Sequence, residues 1–167
     1  MKHLQSLIIA LVLFTGTQVF AQSKVAHIDV QALMTTMPEM KAAQEQLKKV
    51  QETYDNAYNA MVQEYKTKAE KYQQEAATAG DVVNETRSKE MQDMGARIQQ
   101  YQQDAQKQLS QKELDLLKPI MEKAQQAIQK VAKDKGVNYV LDATNGSGVL
   151  FADGIDLLAD VKKELKF

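Results

Sequence analysis

One histidine and a nearby aspartate are the residues that come closest to a metal-binding pattern. His27 and Asp29 lie two positions apart in SKVAHIDV, a segment that predicts a strand, so their side chains share one face. A structural zinc site takes four ligands, yet the sequence has no cysteine and only one other histidine, His3. We therefore predict no metal site and expect His27 to be a structural or partly exposed residue.

The remaining polar residues do not form a catalytic pattern. Carboxylates alternate with lysine and glutamine along the predicted helices, and pairs such as Glu64 and Lys68 suit exposed i, i+4 ion pairs. The sequence has no Gly-rich phosphate loop and no Ser/His/Asp set. We therefore predict no enzyme activity, no cofactor and no small-molecule substrate.

Tyrosines and methionines at helical spacing are the candidates for binding another protein. They share one apolar stripe, which comprises Tyr54, Tyr58, Met61, Tyr65, Tyr72, Met94, Ile98 and Tyr101. Such side chains either pack against a partner helix or make adaptable contacts with a bound protein. Because each helical segment has a single apolar stripe, packing between helices is the favoured interpretation, and contact with a bound protein is the alternative.

Two long helices must position these residues. Between about Met40 and Lys135, apolar residues recur at spacings of three and four that average about 3.67 residues, close to one α-helical turn. A long helix with one apolar stripe cannot bury it alone, so we predict an antiparallel hairpin of two helices. Its tip should lie near residues 78–83, where we expect Gly80 to adopt a left-handed conformation.

Local residues predict where these helices begin and bend. We expect Thr36 to cap the first helix, Pro38 to occupy its first turn, and Asp81 or Asn84 to cap the second helix. Pro119 removes a backbone donor inside the second helix, so we predict a kink or a restart where the hairpin meets the rest of the chain.

Short segments at both ends predict a small β body. Residues 23–30 and 137–143 have the composition of strands. Residues 149–152 (VLFA) should complete a β-hairpin with 137–143 across the glycine-rich turn 144–148. Three short strands leave open edges unless other subunits cover them.

The predicted fold is α+β and mainly α. The helical hairpin spans residues 39–118, and the body comprises residues 22–38 and 119–167. Within the body, residues 31–37 are predicted to form a short connector. Asp156 is expected to cap a last helix that ends at Leu165.

The first 21 residues predict a signal peptide. Lys2 supplies a positive charge, and residues 7–14 (LIIALVLF) form an apolar core that is too short to span a membrane. Cleavage between Ala21 and Gln22 would release residues 22–167, which is the length of one domain.

Composition narrows the range of partners. The chain has 21 basic and 22 acidic residues, so loss of Lys2 changes the formal charge from −1 to −2. This balance argues against nucleic acid and allows at most weak attraction to an anionic membrane surface. Because there is no cysteine or tryptophan and few aromatic residues, we expect a thin core that is shared between chains.

This order of parts resembles the Skp/OmpH family of periplasmic chaperones. The matching segments are VAHIDVQALMTTMPEMKAAQEQL at the start of the mature chain and VAKDKGVNYVLDATNGSGVLFADGIDLLADVKKEL at its end. The helical middle is generic in sequence. The resemblance covers essentially all of the chain after residue 21.

The resemblance implies a homotrimer in the periplasm of a Gram-negative bacterium. Three chains would pool their strands into one β-barrel, and their hairpins would enclose a cavity that holds unfolded outer-membrane proteins without ATP. Enclosure with many weak contacts needs no tight pocket.

The sequence departs from the family in its charge. The best-known members are strongly basic, and their contacts with lipopolysaccharide are attributed to positive residues, whereas this mature chain is slightly acidic, so the resemblance is not extended to a lipopolysaccharide site. Leu158 also stands where the family often has threonine. The alternative function is a structural spacer or adaptor of the envelope whose hairpin docks on a folded partner.

Overall fold

The computed structural model describes residues 23–167. The predicted signal peptide and its cleavage site lie outside these residues. The elements along the chain are β1 (Val25–Ile28), α1 (Val30–Thr36), α2 (Pro38–Ala79), α3 (Asp81–Asp134), β2 (Tyr139–Asp142), β3 (Ile155–Asp156) and α4 (Leu158–Leu165). We call residues 39–118 the arm, and residues 23–38 and 119–167 the body.

The body contains a three-stranded sheet with β1 in the centre. The strand order is β2-β1-β3, and both outer strands run parallel to β1. Ala26 and Ile28 are buried while Val25 and His27 are not, which is the alternation that the sequence predicts. A segment near the start of the chain therefore organises two segments near its end.

The predicted β-hairpin of residues 137–143 and 149–152 is wrong. Residues 149–152 form no strand, and the third strand is Ile155–Asp156, on the opposite side of β1 from β2. Gly146 and Gly148 both have positive φ, 89° and 93°, in a loop that carries the chain past the end of β1. The strand pattern of VLFA is local, whereas pairing depends on which edges the rest of the body leaves free.

The predicted connector after β1 is a two-turn helix, α1. Asp29 caps it, since its Oδ1 accepts a hydrogen bond from the backbone N–H of Ala32 at 2.7 Å. The same oxygen accepts from the hydroxyl of Thr144 at 3.2 Å, so the cap also ties α1 to the segment after β2.

Two predictions concern the start of α2, a proline in its first turn and a threonine cap, and only the first is confirmed. Pro38 occupies the first turn as predicted, because its missing N–H costs nothing there. The expected cap at Thr36 is wrong. Its hydroxyl donates to the carbonyl oxygens of Ala32 and Leu33 in the preceding helix, and Met37 stands at the N-cap without a side-chain bond.

The reversal between α2 and α3 is made by Gly80 alone. Its φ of 78° is positive, as expected. Its ψ of 163°, however, lies outside the predicted left-handed helical region, in a part of backbone space that is essentially reserved for glycine. Neither Asp81 nor Asn84 caps α3 by a side-chain bond. Asn84 instead donates from Nδ2 to the carbonyl oxygen of Ala76 at 2.8 Å, which satisfies the end of α2 across the tip.

The second long helix continues through Pro119. The predicted restart is therefore wrong, and a kink at this position remains a prediction. Pro119 directly precedes Ile120, the first buried α3 residue of the body core, so the proline lies where the arm joins the body.

Apolar side chains from both ends of the chain form the body core. Leu33, Met37, Leu157 and Val161 have no exposed side-chain surface, and small residues of α3 complete the packing. Asp156 accepts a hydrogen bond from the N–H of Leu158 at 2.8 Å, as expected of a residue that caps α4, although Leu157 intervenes as the N-cap residue.

Candidate binding surfaces of the arm and the body

The arm consists of α2 and the facing part of α3, which run antiparallel. Tyr54 marks their contact near the middle. Its ring lies 6.3 Å from that of Tyr101 in an edge-on arrangement, and its hydroxyl donates to Oε1 of Gln108 at 2.9 Å. Both contacts cross from one helix to the other.

The predicted stripe residues lie along the contact between the two helices. Met94 is 5% exposed, and the other seven are half-buried: Tyr54, Tyr58, Met61, Tyr65, Tyr72, Ile98 and Tyr101. A shallow groove of about 230 Å³ brings Tyr54, Tyr58 and Tyr101 together. Half-buried rings pack against the opposite helix and also present an edge to the surroundings, so both interpretations of the stripe remain open.

A polar cluster joins the helices nearer the tip. The Glu90 carboxylate accepts hydrogen bonds from Nζ of Lys68 and from the hydroxyl of Tyr72, both at 2.6 Å. Arg87 pairs with Glu75, and its guanidinium carbon lies 4.6 Å from the centre of the Tyr72 ring. Lys68 also pairs with Glu64 at 3.4 Å, as their spacing suggests.

These contacts shift the ionisation of the groups involved. The hydrogen bond from Lys68, and then that from Tyr72, lowers the pKa of Glu90 below its ordinary value. Conversely, the hydrogen bond to Glu90 raises the pKa of Lys68 and that of Tyr72. Mutual stabilisation therefore keeps Glu90 and Lys68 charged over a wider pH range than either would be alone.

Sequence reasoning singled out Tyr72 but missed its partners in this cluster. A usable signal was present, because a reversal at Gly80 fixes the register of two antiparallel helices. Lys68 precedes that glycine by 12 residues and Glu90 follows it by 10, so the two fall at similar heights on facing helices. Opposite charges at matched heights predict such a pair.

The residues first considered as half of a metal site have other roles. Asp29 is the cap of α1, and His27 is half-buried in the central strand. Within residues 23–167 no three histidine, cysteine or acidic side chains are grouped so that they could hold a metal ion. Over the same residues, no helix combines the length and the hydropathy needed to cross a membrane.

A large apolar groove lies where the arm joins the body. Its volume is about 1170 Å³, and we call it the root groove. The apolar residues that define it come from three helices: Met34, Met40, Leu114, Leu117, Met121 and Ile128. Leu114 and Met121 are 63% and 59% exposed, although most large apolar side chains nearby are packed.

Other exposed apolar residues also concentrate in the body. Val25, Tyr139 and Leu141 are exposed on β1 and β2, and Leu150 and Phe151 project from the loop before β3 with 101% and 82% exposure. In the arm away from the root groove, the large exposed apolar residues are Val82 and Val83 at the tip. Apolar clusters of this kind mark interaction surfaces.

Comparison with known proteins gives the family. The model of the family described as "Outer membrane protein (OmpH-like)" matches residues 24–165, which is nearly the whole described chain. The chain belongs to the OmpH-like family. The match confirms the resemblance that the two end segments suggested. The OmpH-like family is not a family of enzymes.

A solved structure gives the same architecture. The chain is similar to a candidate outer membrane chaperone (OmpH-like) from Caulobacter crescentus, with a TM-score of 0.76 and 18% sequence identity. The match covers 90% of this chain and 88% of that one, so arm and body are both included. No curated protein has a significant match to the sequence.

Proposed function

We propose that this OmpH-like protein is a periplasmic holdase chaperone. It binds unfolded outer-membrane β-barrel proteins without ATP and prevents their aggregation before membrane insertion. The observation that carries the proposal is the family match over residues 24–165, which supports a chaperone role. The export signal predicted in residues 1–21 supports the location.

The proposed mechanism is enclosure by the arms of a homotrimer. An arm whose rings are half-buried offers many weak contacts, and several arms around one chain would add these contacts together. Weak contacts suit a client that must leave when it folds elsewhere. The exposed apolar surfaces of the body support self-association, which would place the arms side by side.

Native mass spectrometry tests this function directly. Residues 22–167 would be measured alone and after dilution of a urea-unfolded outer-membrane barrel protein into the sample. We expect a trimer that captures the unfolded chain and ignores the same protein once folded. A monomer or dimer that is indifferent to unfolded chains would favour the structural adaptor instead.

The tyrosine stripe can be tested separately from the fold. Tyr58→Ala removes a half-buried ring from the mid-arm groove, whereas Tyr58→Phe keeps the ring and removes only the hydroxyl. If the stripe contacts clients, the alanine variant captures less unfolded chain at unchanged helix content, and the phenylalanine variant resembles the wild type. A loss of arm stability with unchanged capture would assign the stripe to packing.

Pro119 is the proposed joint that lets the cavity adapt to clients of different size. Pro119→Ala restores a backbone donor inside α3, so we expect a stiffer junction and a narrower distribution of arm spread. Small-angle scattering measures this spread. An unchanged profile would contradict the assigned role.

A further inference from the structure

Methionine is the residue type through which this chain can be oxidised reversibly. The sequence has no cysteine, but it has eight methionines. A methionine thioether that takes up one oxygen atom becomes a sulfoxide, so a flexible apolar side chain turns into a polar one. Because susceptibility follows exposure, burial in the folded chain decides which methionine reacts first.

The methionines of residues 23–167 differ in exposure. Met121 is 59% exposed, and it is the only exposed methionine in this part of the chain. Met37 and Met94 are buried. The half-buried methionines are Met34, Met40, Met61 and Met91. An oxidant in solution therefore meets the sulfur of Met121 first.

Met121 also lies in the root groove. The large apolar side chains of that groove are leucine, isoleucine, valine and methionine, and among them Met34 and Met40 pack against the body core. These two methionines are therefore less accessible than Met121, although all three belong to the same surface. An oxygen atom on the Met121 sulfur would place a polar group in this apolar lining.

Two hydrogen-bond donors lie one helical turn from Met121. Lys118 precedes it by three residues and Gln125 follows it by four, and both are exposed residues that line the root groove. A thioether sulfur is only a weak acceptor, whereas a sulfoxide oxygen is a strong one that these two side chains and water can satisfy. The oxidised side chain is thus compatible with the folded chain. Oxidation of Met37 would instead put a polar oxygen into the body core.

We propose that Met121 is a redox-responsive modification site, at which a peroxide or hypochlorous acid reversibly makes the root groove polar. The oxidant transfers one oxygen atom to the sulfur, so a sulfur–oxygen bond forms while the O–O or O–Cl bond breaks. The sulfur loses two electrons, and the oxidant leaves as water or an alcohol, or as chloride and a proton. A methionine sulfoxide reductase reverses the step, because a dithiol gives up two electrons to become a disulfide and the oxygen leaves as water.

Peptide mapping by mass spectrometry tests the selectivity of the site. Folded residues 22–167 would be treated briefly with hydrogen peroxide and digested, and sulfoxide would be measured at each methionine. We expect Met121 to react at least about tenfold faster than Met37 or Met94, and we expect the three rates to converge in urea. A rate at Met121 no greater than that at Met37 in the folded protein would overturn the inference, since the groove would then be closed to the oxidant.

A dye that fluoresces on apolar surfaces reports the change in the groove. Oxidation should lower the fluorescence of the bound dye at unchanged helix content by circular dichroism, and a methionine sulfoxide reductase should restore it. Met121→Leu keeps an apolar side chain without sulfur, so its fluorescence should survive the same treatment. Met61→Leu, at a half-buried position of the arm, is the matched control and should respond like the wild type.

Two results of the dye experiment would contradict the proposed site. An equal loss of fluorescence in Met121→Leu would place the change elsewhere in the molecule. A loss of helix content when Met121 is oxidised would mean that the product damages the fold and is not a reversible modification.

The client-capture assay separates this site from the proposed function. A protein that captures unfolded chains but shows no selective oxidation of Met121 would disprove the site and leave the holdase function intact. Selective, reversible oxidation of Met121 in a protein that ignores unfolded chains would establish the site and disprove the function.

Discussion

The body and the arm are stabilised in different ways. The body buries large side chains completely, including Leu33, Leu157 and Val161. In the arm, only Ala43 and Met94 are buried, and many contacts between the helices are hydrogen bonds and ion pairs. The body is thus held by apolar burial, and the arm by many small contributions spread along its length.

This difference predicts different cooperativity. Residues from both ends of the chain form one shared core in the body. Loss of one buried leucine therefore weakens all of it, and the body should unfold as a unit. Loss of one arm contact affects only its neighbours, because each helical turn mainly touches the turn opposite. Segments with few buried apolar contacts open at lower free energy than the core.

The largest effect is expected from Leu33→Ala in the body. Leu33 is fully buried between α1 and the rest of the core, so we expect a loss of about 2–5 kcal/mol in the free energy of unfolding. Urea denaturation followed by circular dichroism measures it. Val82→Ala at the exposed tip should change the same free energy by less than about 0.5 kcal/mol. Similar losses for the two variants would invalidate the comparison.

A smaller effect is expected from Gly80→Ala at the tip. Nothing lies within 4 Å of the added Cβ, so the cost is that of the backbone conformation alone, about 1–3 kcal/mol. Gly95→Ala is the matched control, since Gly95 is helical and its Cβ also meets open space. It should stabilise the arm by up to about 1 kcal/mol. Hydrogen exchange of the arm measures both effects: we expect Gly80→Ala to lower protection and Gly95→Ala to raise it. If both variants changed protection in the same direction, the assigned role of Gly80 would be wrong.

The smallest effect is expected from the polar cluster and depends on pH. The folded-state pKa of Glu90 is lowered, so its contribution is present above the ordinary glutamate value of about 4.3 and is lost as pH falls through the lower folded value. Acid should therefore reduce hydrogen-exchange protection around Lys68 and Glu90. Glu90→Gln should lower protection at neutral pH and remove most of this acid dependence.

Glu85→Gln, at an exposed position of the same helix, is the control for Glu90→Gln. It should leave protection of the arm unchanged at both pH values. The body has its own lowered carboxyl pKa, that of Asp142, which results from hydrogen bonding to Thr144. An acid response confined to the body would show that the cluster contributes nothing to the arm.

The arm was predictable because its determinants are local. Three signals specify it: helical periodicity, Pro38 in a first turn and Gly80 at a reversal. Each of them acts over only a few neighbouring residues, and the structure follows all three closely. The partners of Tyr72 required one further step, the antiparallel register. Asn84 was misassigned because the sequence shows that it can cap a helix but does not show which of two adjacent helix ends it serves.

The body was less predictable because pairing there is long-range. Val25 lies opposite Tyr139, more than a hundred residues away, and no local signal specifies a parallel partner at that distance. Residues 149–152 and Ile155–Asp156 both suit a strand, and the choice between them depends on the free edge of β1. The root groove was missed for the same reason, since its walls come from three separate parts of the chain.

The central position of β1 has a consequence for biosynthesis. The chain emerges N-terminus first, and β1 must wait for β2 and β3 until almost the whole polypeptide has appeared. The helical hairpin forms from sequence-local contacts and can precede them, and its antiparallel return shortens the loop that must close before the strands meet. We therefore expect the arm to form before the body, so that a nascent chain lacking its final thirty or so residues would have a folded arm but no body sheet.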